Sequence, residues 1–374
     1  MCRPPRIPLN ADEQTARRSV PATFVGCVYI ITISRLAEIE CRTFFVDIDL
    51  NWIFTIGISM LIRLGTRQSA LALWQAEFIS ESLRSLGHQV HLVKITTSGD
   101  ISTTPLGESG GQGVFTKEIQ RALLDNRCDL AVHSLKDLPT EVIPELTLAA
   151  VPPREDTADC LLSKGMQLAD LPLGSNVGTG SPRRKASLLH VRPDLIVKDI
   201  RGNVDTRLRK LDEGQYDAII LAFAGLHRLG LQARITQKFS MDEMLPAVGQ
   251  AALGLETRSD DNHTIAAVTQ LDDQTTHAAV IAERSLLRSM RAGCLAPLAC
   301  NAVVHDQSIR IWARVFSPDG KKRIEVKHSI DHKLEIAGLE HKKALFLLAD
   351  QLGREAADHL AEQGAIELID QARR

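Results

Sequence analysis

The sequence predicts an α/β protein of two lobes joined by a crossover hinge, followed by a small C-terminal α+β domain. Three observations carry that expectation. The chain has 374 residues, more than one compact core organises well, so two or three domains are expected. From Leu61 to Ala222, short apolar runs alternate with segments of helical periodicity, as in strand–helix units. After Thr275 the pattern changes to one long helical stretch, short strands and a closing helix.

In chain order, Leu61 to Gly65 reads as a strand. Leu73, Trp74, Phe78, Ile79 and Leu83 recur at helical spacing, and Gly87 ends that helix. Val90 to Thr97 alternates like a strand, and Ser98 to Gly113, rich in Ser, Thr and Gly, reads as a mobile loop. Lys117 to Asn126 is a helix, Leu130 to His133 a short strand, and Leu146 to Val151 another, with Pro152-Pro153 marking a boundary. A second unit follows, with strands at Asn176–Thr179, Leu195–Ile200 and Tyr216–Ala222 and helices at Ser181–His190 and Val204–Leu211. Leu245-Pro246-Ala247 begins a return, and Ala251 to Glu256 is expected to re-enter the first lobe, giving a double crossover. The last part reads as a helix over Thr275–Met290, strands at Ala299–Val304, Ile309–Phe316 and Arg323–His328 with a Ser317–Gly320 turn, and a helix from about His341 to Gln363. The expected divisions are 60–153 plus about 250–270 for lobe one, 154–249 for lobe two, and 271–374 for the last domain.

Residues 1–59 differ in character. Their apolar run Phe24–Ile33 is too short to span a membrane, no small-residue cleavage site follows it, and the acidic residues from Asp12 to Asp49 argue against a transit peptide. They are expected to be an extension outside the folded chain, disordered or translated from a start upstream of a true one at Met60.

A formal net charge of −2 gives no global pull towards nucleic acid or a membrane surface, so anion chemistry must come from local clusters. The seven cysteines form no C-x-x-C pair or zinc spacing, no metal site is expected, and a reduced cytoplasmic setting is the simplest reading.

One such cluster is Gly178-Thr179-Gly180-Ser181-Pro182-Arg183-Arg184. Ser181 suits an N-cap and Pro182 the first helical position, so free N–H groups and the helix dipole favour an anion there. Arg183 and Arg184 add guanidinium forks shaped for carboxylates; a capped helix with solvated arginines explains the segment equally well by itself. Arg201-Gly202-Asn203 lies at a strand end, where open α/β sheets bind ligands, and Arg207 lies a helical turn further on. Arg67 and Arg228 hold similar positions after other strands. With no G-x-x-x-x-G-K-[ST] loop present, the ligand class this repetition points to is a polycarboxylate.

His133-Ser134-Leu135-Lys136-Asp137 also ends a strand. An aspartate beside a lysine stays ionised and can stabilise a cationic intermediate; an N-cap or surface ion pair is the plain alternative. Gly293-Cys294 follows a helix ending in Arg288 and Arg291, where a thiolate is favoured, but Cys300 is close enough that composition does not choose between the two.

Taken together, Thr66-Arg67-Gln68-Ser69, the run Ala131 to Pro139, Ser181-Pro182-Arg183-Arg184, Arg201-Gly202-Asn203 and Gly293-Cys294 resemble the porphobilinogen deaminase (hydroxymethylbilane synthase) family, in order and over nearly everything after Met60. The resemblance implies two lobes like those of periplasmic solute-binding proteins, with the active site in their cleft, and a third domain carrying the cofactor. It implies a dipyrromethane held by a thioether to Cys294 rather than Cys300, and Asp137 as the catalytic aspartate. It places Arg67, Ser69, Ser134, Lys136, Thr179, Ser181, Arg183, Arg184, Arg201, Gly202, Arg207, Gly225 and Arg228 at positions that bind cofactor and substrate. The implied activity is head-to-tail condensation of four porphobilinogens with loss of ammonia, releasing hydroxymethylbilane, by a monomer without nucleic-acid or membrane partners. Phe115 is a candidate lid over the cleft or a core residue, and Gln112 replaces a lysine common in relatives. The chief rival is a non-enzymatic two-lobed solute-binding protein for a carboxylate ligand, which gives Asp137 and Cys294 no role.

Overall fold

The computed structural model describes residues 59–97, 116–293, 296–305, 307–332 and 338–373. The Ser98–Gly113 loop, Gln112, Phe115 and Cys294 lie outside them.

The first sheet contains β1 (Leu61–Thr66), β2 (Gln89–Lys94), β3 (Leu130–Ser134), β4 (Leu146–Ala150) and β10 (Leu253–Arg258), in the order β2-β1-β3-β10-β4. β1 is parallel to β2 and β3, whereas β10 runs antiparallel between β3 and β4. The return of Ala251–Glu256 to the first lobe is therefore present as β10. Helices α1 (Ala70–Ser85) and α2 (Lys117–Leu124) belong to this lobe. α1 buries Gln75, Ala76, Ile79, Ser80 and Leu83, one stripe at helical spacing. Ile79 and Leu83 join Ile62, Leu64, Leu130, Val132 and Leu255 in the core.

The second sheet has the same design. Its strands β5 (Asp159–Ser163), β6 (Asn176–Gly178), β7 (Ile196–Lys198), β8 (Ala218–Ala222) and β9 (Gln237–Lys238) are ordered β7-β6-β8-β5-β9. β6 is parallel to β7 and β8, and β5 is antiparallel to β8 and β9. Helices α3 (Pro182–Val191), α4 (Val204–Asp212) and the short α5 (Phe223–Arg228) accompany it. The chain crosses between the sheets after β4 and again before β10. Parallel strands bring the ends of β1, β3, β6 and β8 to the edges where ligands bind in such sheets.

After α6 (Asn262–Val268), the long α7 (Gln274–Ser289) leads into the antiparallel sheet β11 (Leu298–His305), β12 (Ser308–Phe316) and β13 (Arg323–Asp331), closed by α8 (Leu339–Glu362) and α9 (Ala365–Gln371). Its core joins Ala278, Ala282 and Leu286 of α7 to Ile309, Ile311, Leu352 and Leu360. The β12–β13 turn touches α3. Gly320 has φ +74°, and a β-carbon there would lie 2.6 Å from the Ala186 carbonyl oxygen, so only glycine seats the turn so closely. No helix among the described residues is long and apolar enough to cross a membrane.

Candidate active site in the inter-lobe cleft

β3 ends at Ser134 and passes into a three-residue 3-10 turn, Leu135–Asp137. Leu135 is buried and pivots the turn, leaving Lys136 and Asp137 half-buried at the cleft. Gly249, with φ +67°, packs against this turn; a β-carbon would stand 3.2 Å from the Leu135 carbonyl carbon. Burial pushes the Lys136 ammonium down to about 8, helped by the Arg184 charge and opposed by Asp137 and Asp159.

Across the cleft, Ser181 caps α3, its hydroxyl accepting from the Arg184 N–H at 3.4 Å, with Pro182 in the first turn. The alternative of a capped helix with solvated arginines does not hold for Arg183 and Arg184, although both still reach a cavity wall. Both are buried. Arg184 Nη2 donates to Asp159 Oδ1 at 2.6 Å and its Nη1 to the Ile220 carbonyl, while Arg183 Nη1 lies 2.7 Å from Asp159 Oδ2 and donates to the Leu245 carbonyl. Two guanidiniums buried side by side need an internal counter-charge, and Asp159 at the start of β5 supplies it. Burial alone would raise the Asp159 carboxyl, but Arg183 and Arg184 hold it well below the usual carboxylate range. One positive charge of the three groups is left for a ligand.

On the lobe-two side, Arg201 Nε donates to Asp199 at 2.8 Å and Arg207 Nε to the Gly202 carbonyl at 2.8 Å. Gly202 has φ +106°, which bends the chain so that this carbonyl faces Arg207. Burial, with Arg184 and Arg201 nearby, pushes Arg207 down to about 10, still cationic at neutral pH. From lobe one, Ser69 caps α1 and Ser134 exchanges hydrogen bonds with Gln75.

Two connected chambers result. The outer cavity, about 500 Å³, is lined from lobe one by Arg67, Ser69, Ser134, Lys136 and Asp137, and from lobe two by Ser181, Arg184, Arg201, Gly202, Arg207 and Gly225. The smaller one, about 200 Å³ and inner only in that it abuts the C-terminal domain at Leu287 and Leu298, is lined by Lys136, Asp137, Ser181, Arg183, Arg184, Gln250 and Gly293. Lys136, Asp137, Gly180, Ser181 and Arg184 belong to both walls. The larger cavity thus sets Arg67, Lys136, Arg184, Arg201 and Arg207 against two carboxylates, Asp137 and Asp205, an excess of cations suited to a polycarboxylate. Gly293 precedes Cys294, so the chain that bears this cysteine borders the inner chamber.

Two expected residues are not on these walls. Thr179 is buried, its hydroxyl accepting from the Ser181 N–H. Arg228 donates to the Ala251 carbonyl at 2.6 Å, and its guanidinium carbon lies 5.7 Å from the Trp74 ring centre. Asp159 and Gln250 were missed by sequence reasoning. Gln250 donates to Asp159 at 2.9 Å. The signal for Asp159 was a charge opening the apolar run Cys160-Leu161-Leu162. Cys300 is buried in β11, and burial beside Glu283 raises its thiol well above the ordinary range, so it is inert. Among the described residues no cluster of His, Cys, Asp and Glu is placed to hold a metal.

Residues 62–266 match the family model described as porphobilinogen deaminase, dipyrromethane cofactor binding domain, and residues 277–346 match the porphobilinogen deaminase C-terminal domain. A porphobilinogen deaminase of Syntrophotalea carbinolica is 49% identical over 271 residues, covering 71% of this chain and 86% of that protein. Among solved structures, the methionine-binding protein MetQ aligns with 56% of this chain and 89% of its own at 15% identity and a TM-score of 0.38. A periplasmic domain of Bordetella pertussis BvgS aligns with 60% and 90% at 11% identity and a TM-score of 0.36. With a family model spanning residues 62–266 and a relative 49% identical over most of its length, the chain belongs to the porphobilinogen deaminase family.

Proposed function

We propose that the cleft condenses porphobilinogen head to tail and releases hydroxymethylbilane, with Asp137 as the catalytic carboxylate and Cys294 as the cofactor anchor. The observation that carries this reading is the position of Asp137 on the wall common to both chambers, one of which Lys136, Arg184, Arg201 and Arg207 also line. The residues fit a dipyrromethane: the inner chamber offers cations for its carboxylates, an acceptor for pyrrole N–H groups, and Gly180 where a β-carbon would meet Asp199 at 2.8 Å. When bound, that group would supply the free α-carbon to which the first substrate unit is joined, each later unit joining the ring before it, and water would release the finished tetrapyrrole from it.

The rest is the work of this chain. Arg67, Arg201 and Arg207 hold substrate carboxylates in the outer chamber, with Ser69, Ser134 and Ser181 as neutral donors. As ammonia leaves the substrate, positive charge develops on the pyrrole, and the Asp137 carboxylate accepts its N–H and stabilises that charge. Arg183 and Arg184, pre-set by Asp159, hold carboxylates in the chamber beside the C-terminal domain. Thr179 supports this wall by fixing the Ser181 backbone, and Arg228 is available to the substrate side once its hold on Ala251 is released. Cys294 is the anchor in this reading by its place in the family motif, and buried Cys300 is poorly suited to that role. The same reading divides the chain into lobe one (60–153 with about 250–270), lobe two (154–249) and the cofactor-carrying domain (271–374), with 1–59 outside, and makes it a cytoplasmic monomer.

Intact mass of the purified protein tests the reading. Added mass of two condensed porphobilinogen units, absent in Cys294→Ser and retained in Cys300→Ser, is expected. An unmodified parent protein, made where porphobilinogen is present, would favour a simple carboxylate-binding protein.

A further inference from the structure

Asp137 stands on a three-residue turn, which has little hydrogen bonding of its own to fix a side chain. On the upstream side, the Leu135 N–H donates to the Ala252 carbonyl at 3.0 Å, and within the turn the Leu138 N–H donates to Leu135 at 3.2 Å. On the downstream side, the carbonyls of Leu138 and Pro139 are held from another part of the molecule. Arg284 of α7 donates from Nη1 to Leu138 at 2.8 Å and from Nη2 to Pro139 at 2.7 Å. The planar fork spans two successive carbonyls, which a lysine does not reproduce.

Arg284 lines neither chamber, so it has no part in binding carboxylates directly. Burial pushes it down to about 10, opposed by the Glu256 charge, so it remains cationic at neutral pH. Glu256 in turn accepts from Gln120 at 3.0 Å and pairs with His133 Nε2 at 2.9 Å. His133 precedes the turn and Leu138 follows it, so the Glu256 contact on one side and the Arg284 fork on the other bracket Asp137. The helix bearing Arg284 ends at Ser289, and the chain continues to Gly293 on the inner-chamber wall.

We propose that Arg284 is a positioning residue, holding the Asp137 turn in register with the segment that bears the cofactor anchor. The assignment rests on the deaminase reading above. Displacement of a catalytic group by about 1 Å costs on the order of 100-fold in rate. Arg284→Met is therefore expected to lower kcat per cofactor-loaded molecule by about 100-fold, with the cofactor mass retained and KM within about twofold. Arg284→Lys, which keeps the charge but can reach only one carbonyl at a time, is expected to lose roughly tenfold. Lys136 gives a readout besides activity: with the turn loosened, its titration, followed by NMR of the labelled ammonium, moves up from about 8 towards the ordinary lysine value.

A kcat equal to that of the parent in either variant, or a Lys136 titration unmoved in Arg284→Met, overturns the assignment. Should Arg284→Met fail to fold, Arg284→Lys decides by the same two measurements. The parent chain assayed alongside separates the two readings. If it consumes no porphobilinogen, the deaminase reading falls and takes this one with it. If it is active while Arg284→Lys matches it, only the positioning role is lost.

Discussion

Arg154 and Glu283 face each other in a buried bidentate pair, Nη1 to Oε1 at 2.7 Å and Nη2 to Oε2 at 3.0 Å. Arg154 lies on the first crossover between the lobes and Glu283 on α7. The same carboxylate accepts from the Gly249 N–H on the second crossover and from Ala302 in β11. One fully buried glutamate thus ties both crossovers to the C-terminal domain. Glu283→Gln leaves the Arg154 guanidinium without its counter-charge, and a loss of about 3–5 kcal/mol in unfolding free energy is expected from urea denaturation. A loss under about 1 kcal/mol, the scale of a surface pair, would show that the junction tolerates an unpaired cation.

Asp159 invites a second test. Its folded pKa is depressed, so its contribution is complete above the unfolded value near 4 and is lost as pH falls from there towards the folded value. Asp159→Asn should therefore be destabilised at neutral pH, and the gap to the parent should close as pH drops below about 4. A gap constant down to the acid transition would mean that the carboxylate gains nothing from Arg183 and Arg184.

Lys136 predicts a pH profile. It loses its proton near pH 8 in the ligand-free protein, and with it one attraction for substrate carboxylates. In the cofactor-loaded enzyme the dipyrromethane carboxylates favour the ammonium, so kcat/KM, which reports the enzyme before substrate binds, should fall with rising pH at or above about 8. Arg at this position stays charged, so Lys136→Arg should shift that fall upward in pH; an unchanged profile assigns it to another group.

Ala251 is a non-glycine residue in the left-handed region, φ +71°, at the second crossover, where Arg228 holds its carbonyl. That conformation costs alanine about 1 kcal/mol. Ala251→Gly should raise the denaturation midpoint by an equivalent of up to about 1 kcal/mol. A lowered midpoint would mean that packing of the methyl group outweighs the strain.

Much of this was legible in the sequence. Strong periodicity marked β1, α1, α7 and α8, and cap chemistry placed Ser181 at the head of α3, because those signals are local. β5 and β9 were not legible. Asp159 opens β5 with a charge that makes sense only opposite Arg183 and Arg184, and β9 is two residues long. Short α5 and α6 carry too few turns for a periodicity to show. At the site, the positions of Arg67, Lys136, Asp137 and Arg201 at strand ends could be read along the chain. The internal pairing of Arg183 and Arg184, and the grip of Arg284 on Leu138 and Pro139, depend on residues 24 to 146 positions apart, beyond any local pattern.

The interior place of β10 has a bearing on how the protein is made. Synthesis delivers β1 to β4 first, but β3 and β4 are joined only through β10, about a hundred residues later. Until Leu253–Arg258 has left the ribosome, the first sheet has a gap at its fourth position and two unsatisfied strand edges. The second sheet is complete with β9 at Lys238, before that gap is filled. The later-encoded lobe is thus able to finish folding first, and the earlier one waits for its last strand.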